Sequence, residues 1–496
     1  MPALLQITIT ALMLSTTAVA AAQGIPELDV TQPGRPLPHF WETVFGSGRA
    51  SLSLRESYRR DLCLMKEATR IEYVRLHAIF HDENGVYSED GGGRPCYNWA
   101  YIDQIYDGLL ENGVHPFVEL SFMPCALAIS QAPHPFWYRL LPSPPKDYGR
   151  WEQLIEQFAR HLVRRYGIDE VSQWYFEVWN EPNIDFWSGE PKADSYHRLY
   201  AVTVRALKRV SPRLRVGGPA TAQAAWVDRF IEHCYKNGLP LDFVSTHIYG
   251  NDRAAHVFGG PGAVTRRDMV AMAVDKVWRQ VKASAVPDLP IHWTEYNASY
   301  MNEVNVTDSP FTGPWLADTI RQCDGTLASL AYWTFSDVIE EQGVVRCPFY
   351  GGYGLIAAGH IPKASFNAFA LLSRLGDVRL ALDADFALAT RRGDGSLALA
   401  LWNYAAPEEE ETPKELRVRL RGMKLPAEAW VTVVDAEHGS PLRLWESMGR
   451  PEYPTREQQE VLRRAAQLPA PRVLKIGQPE FSLLLEPKAL ALVEFR

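Results

Sequence analysis

The chain lacks the patterns that mark several large classes of protein. Its net charge is −8 and it has no block of lysines and arginines, which argues against nucleic acid as a partner. No GxGxxG, Walker or HExxH pattern occurs, so the sequence implies no cofactor. It has no internal repeat of solenoid period and no low-complexity tract. What remains is a globular composition, with 46% hydrophobic and 22% charged residues.

Cysteine is scarce, and its spacing excludes a zinc or disulfide framework. None of the six cysteines forms CxxC or a zinc-binding pattern, so most are expected to be buried free thiols. His77 and His81 are four positions apart, but on a strand they would lie about 13 Å apart. No metal site is therefore expected.

Long hydrophobic runs are absent beyond the N-terminus. Ile7–Ala20 is apolar or small and ends in a plausible cleavage tripeptide, Ala18-Val19-Ala20. This predicts a signal peptide over residues 1–20 and an exported protein, periplasmic or extracellular. No Lys or Arg precedes Arg35, so an uncleaved anchor is the alternative. The run is short for a membrane span, and none is expected after signal cleavage.

Short apolar runs alternate with amphipathic stretches from residue 41 to residue 376. Eight runs read as strands, each followed by a helix candidate, which is the count of a (β/α)8 TIM barrel. Residues 377–496 carry short β-rich runs that predict an appended C-terminal β-sandwich domain. Residues 21–40 are expected to add an edge strand to that sandwich. The strand candidates are Trp41–Gly46, Ile71–Ile79, Pro116–Phe122, Trp174–Trp179, Leu214–Gly218, Phe243–Tyr249, Ile291–Tyr296 and Ala328–Phe335.

Two of these strand candidates deliver a carboxylate near the C-terminal end. WYFEVWNEPN ends in Asn180, Glu181 and Pro182, and PIHWTEYNAS carries Glu295. The strand ends of a (β/α)8 barrel meet at one face and build its active site. Retaining glycosidases need two carboxyl groups about 5–5.5 Å apart, one as acid/base and one as nucleophile. The pair therefore predicts a retaining glycosidase.

Strand alternation suggests how the fourth strand is oriented. Glu177, Trp179 and Glu181 share one parity, so Glu181 at the tip would face the cleft while Glu177 lies lower in the barrel. A buried glutamate needs a partner, and Arg75 on the second strand can point inward to supply it. Asn180 offers an amide that can bind a sugar hydroxyl.

These motifs resemble glycoside hydrolase family 39, whose members are retaining barrel enzymes with catalytic glutamates on strands 4 and 7. The similarity runs from about Gly46 to Gly376, and the region Pro348–Asp377 resembles the β-xylosidases of that family. A segment rich in proline and aromatic residues, Ala126–Pro145, is expected to reshape the rim of the site. The landmarks are VRLHAIF (Val74–Phe80), VELSFMP (Val118–Pro124), FEVWNEPN (Phe176–Asn183), STHIYG (Ser245–Gly250), WTEYNAS (Trp293–Ser299) and YWTFSDVIEEQG (Tyr332–Gly343).

The resemblance implies a role for each matching residue. Glu181 would be the acid/base and Glu295 the nucleophile, which Tyr249 could keep ionised through a hydrogen bond. The remaining matching residues would bind the sugar that the enzyme releases. Its site would be lined by His77, Asn180, His247, Tyr249 and Trp333, and its hydroxyls bound by Glu340 and Glu341.

The resemblance implies an exo-acting β-xylosidase that hydrolyses β-1,4-xylosidic bonds of xylo-oligosaccharides. The same two glutamates would serve an arabinosidase, an α-L-iduronidase-like enzyme or an endo-glycosidase on an exopolysaccharide. A uronic acid substrate should need an arginine or lysine in the sugar site. A non-catalytic carbohydrate-binding barrel is the remaining alternative, and both glutamates argue against it. No oligomeric state follows from the sequence.

Overall fold

The computed structural model describes residues 24–260, 262–409, 412–424 and 427–495. The predicted signal peptide lies outside these ranges. Within them, no helix combines the length and the apolar character needed to cross a membrane.

Strands and helices follow one another in the order that the apolar periodicity predicts. The strands are β1 Glu27–Asp29, β2 Arg35–Pro36, β3 Val44–Arg49, β4 Tyr73–His77, β5 Tyr87–Glu89, β6 Pro95–Tyr97, β7 His115–Leu120, β8 Tyr175–Val178, β9 Arg215–Thr221, β10 Phe243–Tyr249, β11 Ile291–Asn297, β12 Ser329–Tyr332, β13 Ile356–Ala357, β14 Ile361–Pro362, β15 Val378–Arg379, β16 Ala387–Arg391, β17 Leu397–Trp402, β18 Lys414–Arg421, β19 Glu428–Val434, β20 Arg472–Lys475, β21 Glu480–Leu485 and β22 Leu490–Phe495. The α-helices are α1 Glu56–Ala68, α2 Ala100–Glu111, α3 Tyr148–Tyr166, α4 Ile168–Val171, α5 Lys192–Val210, α6 Val227–Lys236, α7 Ala254–Phe258, α8 Met269–Lys282, α9 Val304–Thr307, α10 Thr312–Cys323, α11 Ala364–Leu372, α12 Leu442–Ser447 and α13 Arg456–Ala465.

The predicted barrel is confirmed. Eight parallel strands close in the order β3-β4-β7-β8-β9-β10-β11-β12, so β8 is barrel strand 4 and β11 is barrel strand 7. Helix α3 illustrates how the surrounding helices form: the Asp147 side chain accepts hydrogen bonds from the Gly149 and Arg150 amides at its start. Gly167, at φ 84°, follows its last residue.

The barrel interior is apolar at one end and polar at the other. Val44, Phe117, Phe243 and Ala331 form an apolar plug from four strands, with Tyr73 and Tyr175 packed against it. Toward the C-terminal ends of the strands the inward-facing side chains become charged. Apolar packing therefore fills the N-terminal end of the barrel, and the polar side chains that could form an active site lie at its C-terminal end.

The C-terminal region is a sandwich of two sheets that packs against the barrel. One sheet has the order β1-β18-β21 and the other β2-β15-β16-β17-β22-β19-β20. The N-terminal strands β1 and β2 thus pair with one sheet each, β1 with β18 and β2 with β15. Strand β18 alternates buried and exposed residues, as expected for a strand with one face on a core. The outer face of the larger sheet contributes Trp402 and Leu490 to the barrel core, beside α10 and α11.

The cysteines correct one expectation. All six lie in the described residues and all six are free. Only Cys234 and Cys323 are buried, while Cys63, Cys96 and Cys125 are exposed. The prediction that most would be buried was wrong, because Cys63 on α1, Cys96 on β6 and Cys125 after β7 occupy exposed positions rather than core-facing ones.

Candidate active site

Glu181 reaches the top of the barrel through a turn, not through strand alternation. Strand β8 ends at Val178, and Trp179 and Glu181 adopt left-handed backbone conformations with φ of 72° and 46°. Trp179 points away from the barrel interior, where it contacts Trp151 of α3 and its indole N–H donates to the carbonyl of Phe186. The expected shared parity of Glu177, Trp179 and Glu181 is therefore wrong. A left-handed residue at a functional site costs free energy that the surrounding structure must offset.

Glu295 lies on β11, opposite Glu181 across the top of the barrel. One oxygen of each carboxyl group and one ring nitrogen of His247 all lie within 4.8 Å of one another. This separation is typical of retaining enzymes, since inverting enzymes hold the two carboxyls about 6.5–9.5 Å apart to admit a water molecule. Both glutamates are buried.

A single buried guanidinium organises the layer beneath the two glutamates. Arg75 donates from Nε to Glu177 Oε2 at 2.6 Å and from Nη1 to Glu295 Oε1 at 2.8 Å. Its Nη2 donates to Asn180 Oδ1 at 2.9 Å and lies 2.8 Å from Glu119 Oε2. Burial alone would lower the pKa of Arg75, but the carboxylates around it raise that pKa above its usual value. Arg75 therefore stays charged and holds Glu295 in place.

The surroundings of the two glutamates differ. The hydroxyl of Tyr249 donates to Glu295 Oε2 at 2.7 Å, so Glu295 accepts two hydrogen bonds, one of them from a cation. Both bonds stabilise the carboxylate form of Glu295. The pKa of Glu181 is raised well above its usual range by burial and by repulsion from Glu295 and Asp252. Within the pair, Glu181 is thus the group whose protonated form is favoured by its surroundings.

The hydrogen-bond network around His247 indicates where the Glu181 proton lies. Burial, Arg75 and His77 lower the pKa of His247 well below its usual value, so the ring is neutral. Thr294 donates its one hydroxyl proton to Glu177 Oε1 at 2.8 Å and therefore accepts from His247 Nε2 at 3.1 Å. The unprotonated Nδ1 of His247 then faces Glu181 Oε1 at 3.0 Å. An unprotonated nitrogen and a carboxylate oxygen are both acceptors and cannot hydrogen-bond to each other. The proton in this hydrogen bond is therefore assigned to Glu181.

His77 is held by a second carboxylate. Its Nδ1 lies 2.5 Å from Glu119 Oε2, and its Nε2 lies 3.5 Å from Glu295 Oε1. Burial alone would lower the pKa of His77, but the contact with Glu119 outweighs it and raises the pKa. Glu119 therefore fixes the His77 ring beside Glu295.

These groups open into a cavity of about 450 Å³ at the top of the barrel. Five carboxyl groups line it, and none of the lining side chains in the described part of the chain is lysine or arginine. Burial and repulsion from Glu295 raise the pKa of Glu341, one of the five, to about 7. The lining residues are His77, His134, Phe136, Asn180, Glu181, Ile184, Asp185, Phe186, Ala222, Gln223, Tyr249, Asp252, Glu295, Tyr300, Trp333, Glu341, Gln342 and Tyr353.

The oxygens of Glu181 and Glu295 and the ring of His247 are close enough together to hold a metal ion. The charges around them favour a different use. Arg75 already donates to Glu295, and the His247 nitrogen contacts a protonated carboxyl. A cation placed there would meet a guanidinium and an acidic proton, so the arrangement suits proton transfer better than metal binding.

Comparison with known proteins agrees with this geometry. The model of the family described as glycosyl hydrolases family 39 matches residues 26–476. The chain belongs to glycosyl hydrolases family 39.

Relatives of this family 39 chain include two bacterial proteins and a solved structure. The chain is 38% identical to a β-xylosidase of Geobacillus stearothermophilus over 434 residues, which are 85% of this chain and 85% of that protein. It is 37% identical to a β-xylosidase of Caldicellulosiruptor saccharolyticus over 445 residues, 88% of this chain and 90% of that protein. The crystal structure of a monomeric β-xylosidase from Caulobacter crescentus CB15 is similar with a TM-score of 0.86 at 33% identity, covering 95% of this chain and 99% of that one.

Seven of the nine site residues predicted for this family 39 chain line the cavity. The other two do not. His247 is fully buried, and its Nδ1 lies 3.0 Å from the carboxyl of Glu181 and 3.6 Å from that of Glu295. Glu340 turns away from the cavity, and its two oxygens accept from Arg49 at 2.7 Å and Arg55 at 2.5 Å. Glu340 thus ties its loop to the barrel, while Glu341 lines the cavity, and the sugar contacts of both residues stay a prediction.

Sequence reasoning missed several residues of this family 39 site. Glu119 had a usable signal, because a carboxylate inside the apolar run of β7 needs a buried partner. Asp252, Gln223 and Tyr353 gave none, since each lies on a loop whose path depends on the folded barrel. Phe136 lies in the segment expected to reshape the rim, and it does line the cavity.

Proposed function

We propose that this chain is a retaining β-xylosidase that releases single xylose units from the end of xylo-oligosaccharides. The main observation behind the proposal is the pair formed by Glu181 and Glu295. One oxygen of each carboxyl group lies within 4.8 Å of the other, and both residues line the cavity at the top of the barrel. The family relationship and the names of the relatives point to the same activity.

In the first half of the reaction Glu295 attacks the anomeric carbon of the xylose. Arg75 and Tyr249 hold one oxygen of Glu295 each, which keeps the carboxylate ionised and oriented. Glu181 donates its proton to the glycosidic oxygen as the bond breaks, and the leaving sugar departs as an alcohol. The product of this half is an α-linked xylosyl ester of Glu295.

In the second half Glu181, now a carboxylate, takes a proton from water. The water attacks the anomeric carbon from the side that the leaving group occupied, and the ester bond to Glu295 breaks. The xylose leaves with its original β configuration. Once Glu295 carries the sugar, its negative charge is gone, so Glu181 loses the repulsion that raised its pKa and acts as a base.

The lining of the cavity favours a neutral sugar over a uronic acid. Five carboxyl groups surround the space, and no lysine or arginine among the described residues lines it. The carboxylate of an iduronide or glucuronide would lie among Glu341 and Asp252, and no lysine or arginine in the described lining would pair with it. The α-L-iduronidase-like alternative therefore lacks the group that its substrate needs.

Exo-action is proposed from the loop that follows β12. Its Glu341, Gln342 and Tyr353 line the cavity. The carbonyl of Glu341 accepts from the Trp137 amide at 2.8 Å, and the Gln342 side chain donates to Asn302 at 3.0 Å. The loop is thus anchored on both sides of the site, which would close the cleft beyond one sugar.

The preference for a pentose is proposed from Trp333. The indole lies against Gly46, where an added Cβ would overlap the ring, and its centroid is 4.3 Å from that of His77. A wall fixed in this way can reject the C6 hydroxymethyl of glucose by a clash.

Two measurements test the proposal. Early products from xylohexaose should be xylose and xylopentaose, and a nitrophenyl xyloside should be cleaved faster than the matching glucoside, arabinosides or glucuronide. Mid-chain fragments would contradict exo-action. Faster hydrolysis of another glycoside would contradict the sugar preference. Export is part of the same proposal, with the apolar residues 7–20 as its support.

A further inference from the structure

A lysine and two aspartates, here called the buried triad, lie outside the catalytic cavity. Lys363 precedes helix α11, Asp308 follows α9 and Asp337 lies in the loop after β12. Lys363 Nζ is 2.6 Å from Asp308 Oδ1 and 2.7 Å from Asp337 Oδ2, and all three side chains are fully buried. None of them is among the described residues that line the cavity. Because burying charges often costs more free energy than their attraction recovers, stability alone does not explain the triad.

The other hydrogen bonds of the triad all go to one glycine-rich turn just before β13. The second oxygen of Asp308 accepts from the Gly351 amide at 2.6 Å. The second oxygen of Asp337 accepts from the Gly354 amide at 2.7 Å. The lysine ammonium donates to the Gly352 carbonyl at 3.0 Å. The three side chains therefore hold the backbone of the turn at three points.

The turn lies so close to its neighbours that its glycines leave no room for side chains. A Cβ on Gly351 would overlap the backbone between Asn302 and Glu303, and a Cβ on Gly354 would overlap the backbone of Asp337. Gly351 also has a φ of 80°, a conformation that favours glycine. Since the glycines have no side chains that could anchor the turn, the bonds from the triad fix its position.

The residue that the turn presents to the cavity is Tyr353. Its hydroxyl donates to the carbonyl of Tyr300 at 2.7 Å, and both residues line the cavity. Its ring belongs to an apolar cluster with Trp333, against which Tyr249 packs. The side-chain amide of Asn297 donates to the Trp333 carbonyl at 2.6 Å and to the Tyr353 carbonyl at 3.4 Å. The position of the turn therefore sets the position of this side of the cavity.

We propose that Lys363, Asp308 and Asp337 are positioning residues for the sugar that the enzyme releases. They fix the turn and thereby hold Tyr353 where it packs with Trp333 and reaches Tyr300. This inference rests on the proposed function and adds residues that shape the sugar site without touching the sugar. A small displacement of a wall can weaken binding strongly even when its cause lies outside the site.

The first experiment compares two variants that each neutralise a buried carboxylate at constant size. Asp337→Asn leaves an amide oxygen that can accept from Lys363 or from Gly354 but places an N–H₂ group against the other donor. The matched control is Glu494→Gln, because Glu494 is a buried carboxylate of β22 with two arginine partners and lies outside the cavity. Both variants should unfold at a lower temperature than the wild-type protein. Each is assayed well below that temperature, where circular dichroism shows it to be folded.

The readout is the inhibition constant of xylose as a competitive inhibitor of nitrophenyl xyloside hydrolysis. In Asp337→Asn this constant should rise about tenfold, the usual size for loss of a hydrogen bond to a charged group. In Glu494→Gln it should stay within about twofold of the wild-type value, because loss of stability alone does not move the wall. An unchanged constant in Asp337→Asn, or an equal rise in Glu494→Gln, would overturn the inference.

The second experiment tests whether the triad acts through Tyr353. Tyr353→Phe removes the bond to Tyr300 and should also raise the inhibition constant of xylose. If Asp337 acts by placing Tyr353, the double variant should be no worse than the more severe single variant. Effects that multiply in the double variant would contradict this route. A wild-type enzyme that hydrolysed no xyloside would overturn the proposed function, and this inference with it, before any variant is made.

Discussion

The hydroxyl of Tyr249 donates a 2.7 Å hydrogen bond to Glu295 Oε2, while Arg75 holds the other oxygen of the same carboxylate at 2.8 Å. Glu295 is thereby gripped on both oxygens before any substrate binds. Glu181 differs from Glu295 because burial and the neighbouring carboxyl groups raise its pKa, and no cation among the described residues lies as close to Glu181 as Arg75 lies to Glu295. Glu181 instead faces a neutral imidazole.

Removing the Tyr249 hydroxyl should weaken the first chemical step. Tyr249→Phe is expected to lower kcat/KM for an aryl xyloside by about tenfold or more, the usual range for a hydrogen bond to a charged group. The matched control is Tyr296→Phe, since the Tyr296 hydroxyl is buried without a hydrogen-bond partner in the described residues. Equal activities of the two variants would show that the Tyr249 bond is not important for attack.

The two glutamates should respond differently to removal and to azide. Glu295→Ala should lose activity by a factor on the order of a thousand or more on every substrate, with azide yielding the α-xylosyl azide of inverted configuration. Glu181→Ala should retain the attack step on dinitrophenyl xyloside, and azide should restore turnover with retained configuration. NMR of each azide product gives its configuration. Retention with Glu295→Ala and inversion with Glu181→Ala would show that the roles of the two glutamates are exchanged.

The raised pKa of Glu181 predicts the alkaline side of the pH profile. Glu181 can donate only while protonated, so activity is full below its raised pKa and is lost as the pH rises through it. A xyloside with a poor leaving group should show this limb in kcat/KM. In Glu181→Gln, assayed with the same xyloside, the residual kcat/KM should be low and should lack the limb. Glu341→Gln is the control that should keep it, and a limb that survived in Glu181→Gln would have another origin.

The position of that limb should depend on Thr294, although Thr294 touches neither Glu181 nor the cavity. Thr294→Val removes the acceptor for His247 Nε2, so the tautomer with a proton on Nδ1 becomes favourable. That proton would donate to Glu181 and stabilise its carboxylate, lowering the pKa of Glu181. The alkaline limb should then move to lower pH. An unchanged limb would contradict the assignment of the His247 tautomer.

A buried lysine should stabilise the loop after β12. Lys363 Nζ lies 2.6 Å from Asp308 and 2.7 Å from Asp337, with all three side chains fully buried. Lys363→Met should lower the free energy of unfolding by about 3–5 kcal/mol at neutral pH, because two buried carboxylates lose their cationic partner and keep only the backbone amides of Gly351 and Gly354 as donors. Lys236→Met, at an exposed ion pair with Glu232, should cost less than about 1 kcal/mol.

The loss in Lys363→Met should shrink in acid. Burial raises the pKa of Asp337 to about 6 even with Lys363 present, and removing the lysine would raise it further. Protonation of Asp337 below that pKa removes the uncompensated charge. The free energy of unfolding of the variant in urea should therefore be closer to that of the wild-type protein at pH 5 than at neutral pH. A pH-independent loss would point to lost packing rather than charge.

The barrel and its two glutamates could be predicted from sequence because each depends on short segments. Eight apolar runs fixed the strand count, and the partnership of Arg75 with Glu177 followed from the parity of two strands. Glu181 was placed correctly for a wrong reason, since left-handed turns at Trp179 and Glu181 replace the alternation that the strand pattern suggested.

The rim of the site could not be predicted in this way. Glu340 and Glu341 are adjacent in the chain, and only the positions of Arg49 and Arg55 decide which of them turns away from the cavity. Gln223 and Asp252 meet because two different loops converge, which no local pattern encodes. Such contacts depend on loops positioned by the finished barrel.

The central claim is that Glu295 forms a covalent bond to xylose during turnover. Its most direct test is incubation with dinitrophenyl 2-deoxy-2-fluoro-β-xyloside, which slows hydrolysis of the intermediate, followed by mass spectrometry of the proteolysed enzyme. The account predicts one fluoroxylosyl group per chain, located on Glu295, with loss of activity in step with labelling. A label on another residue, or an active enzyme that releases α-xylose from a β-xyloside and takes no label, would contradict it.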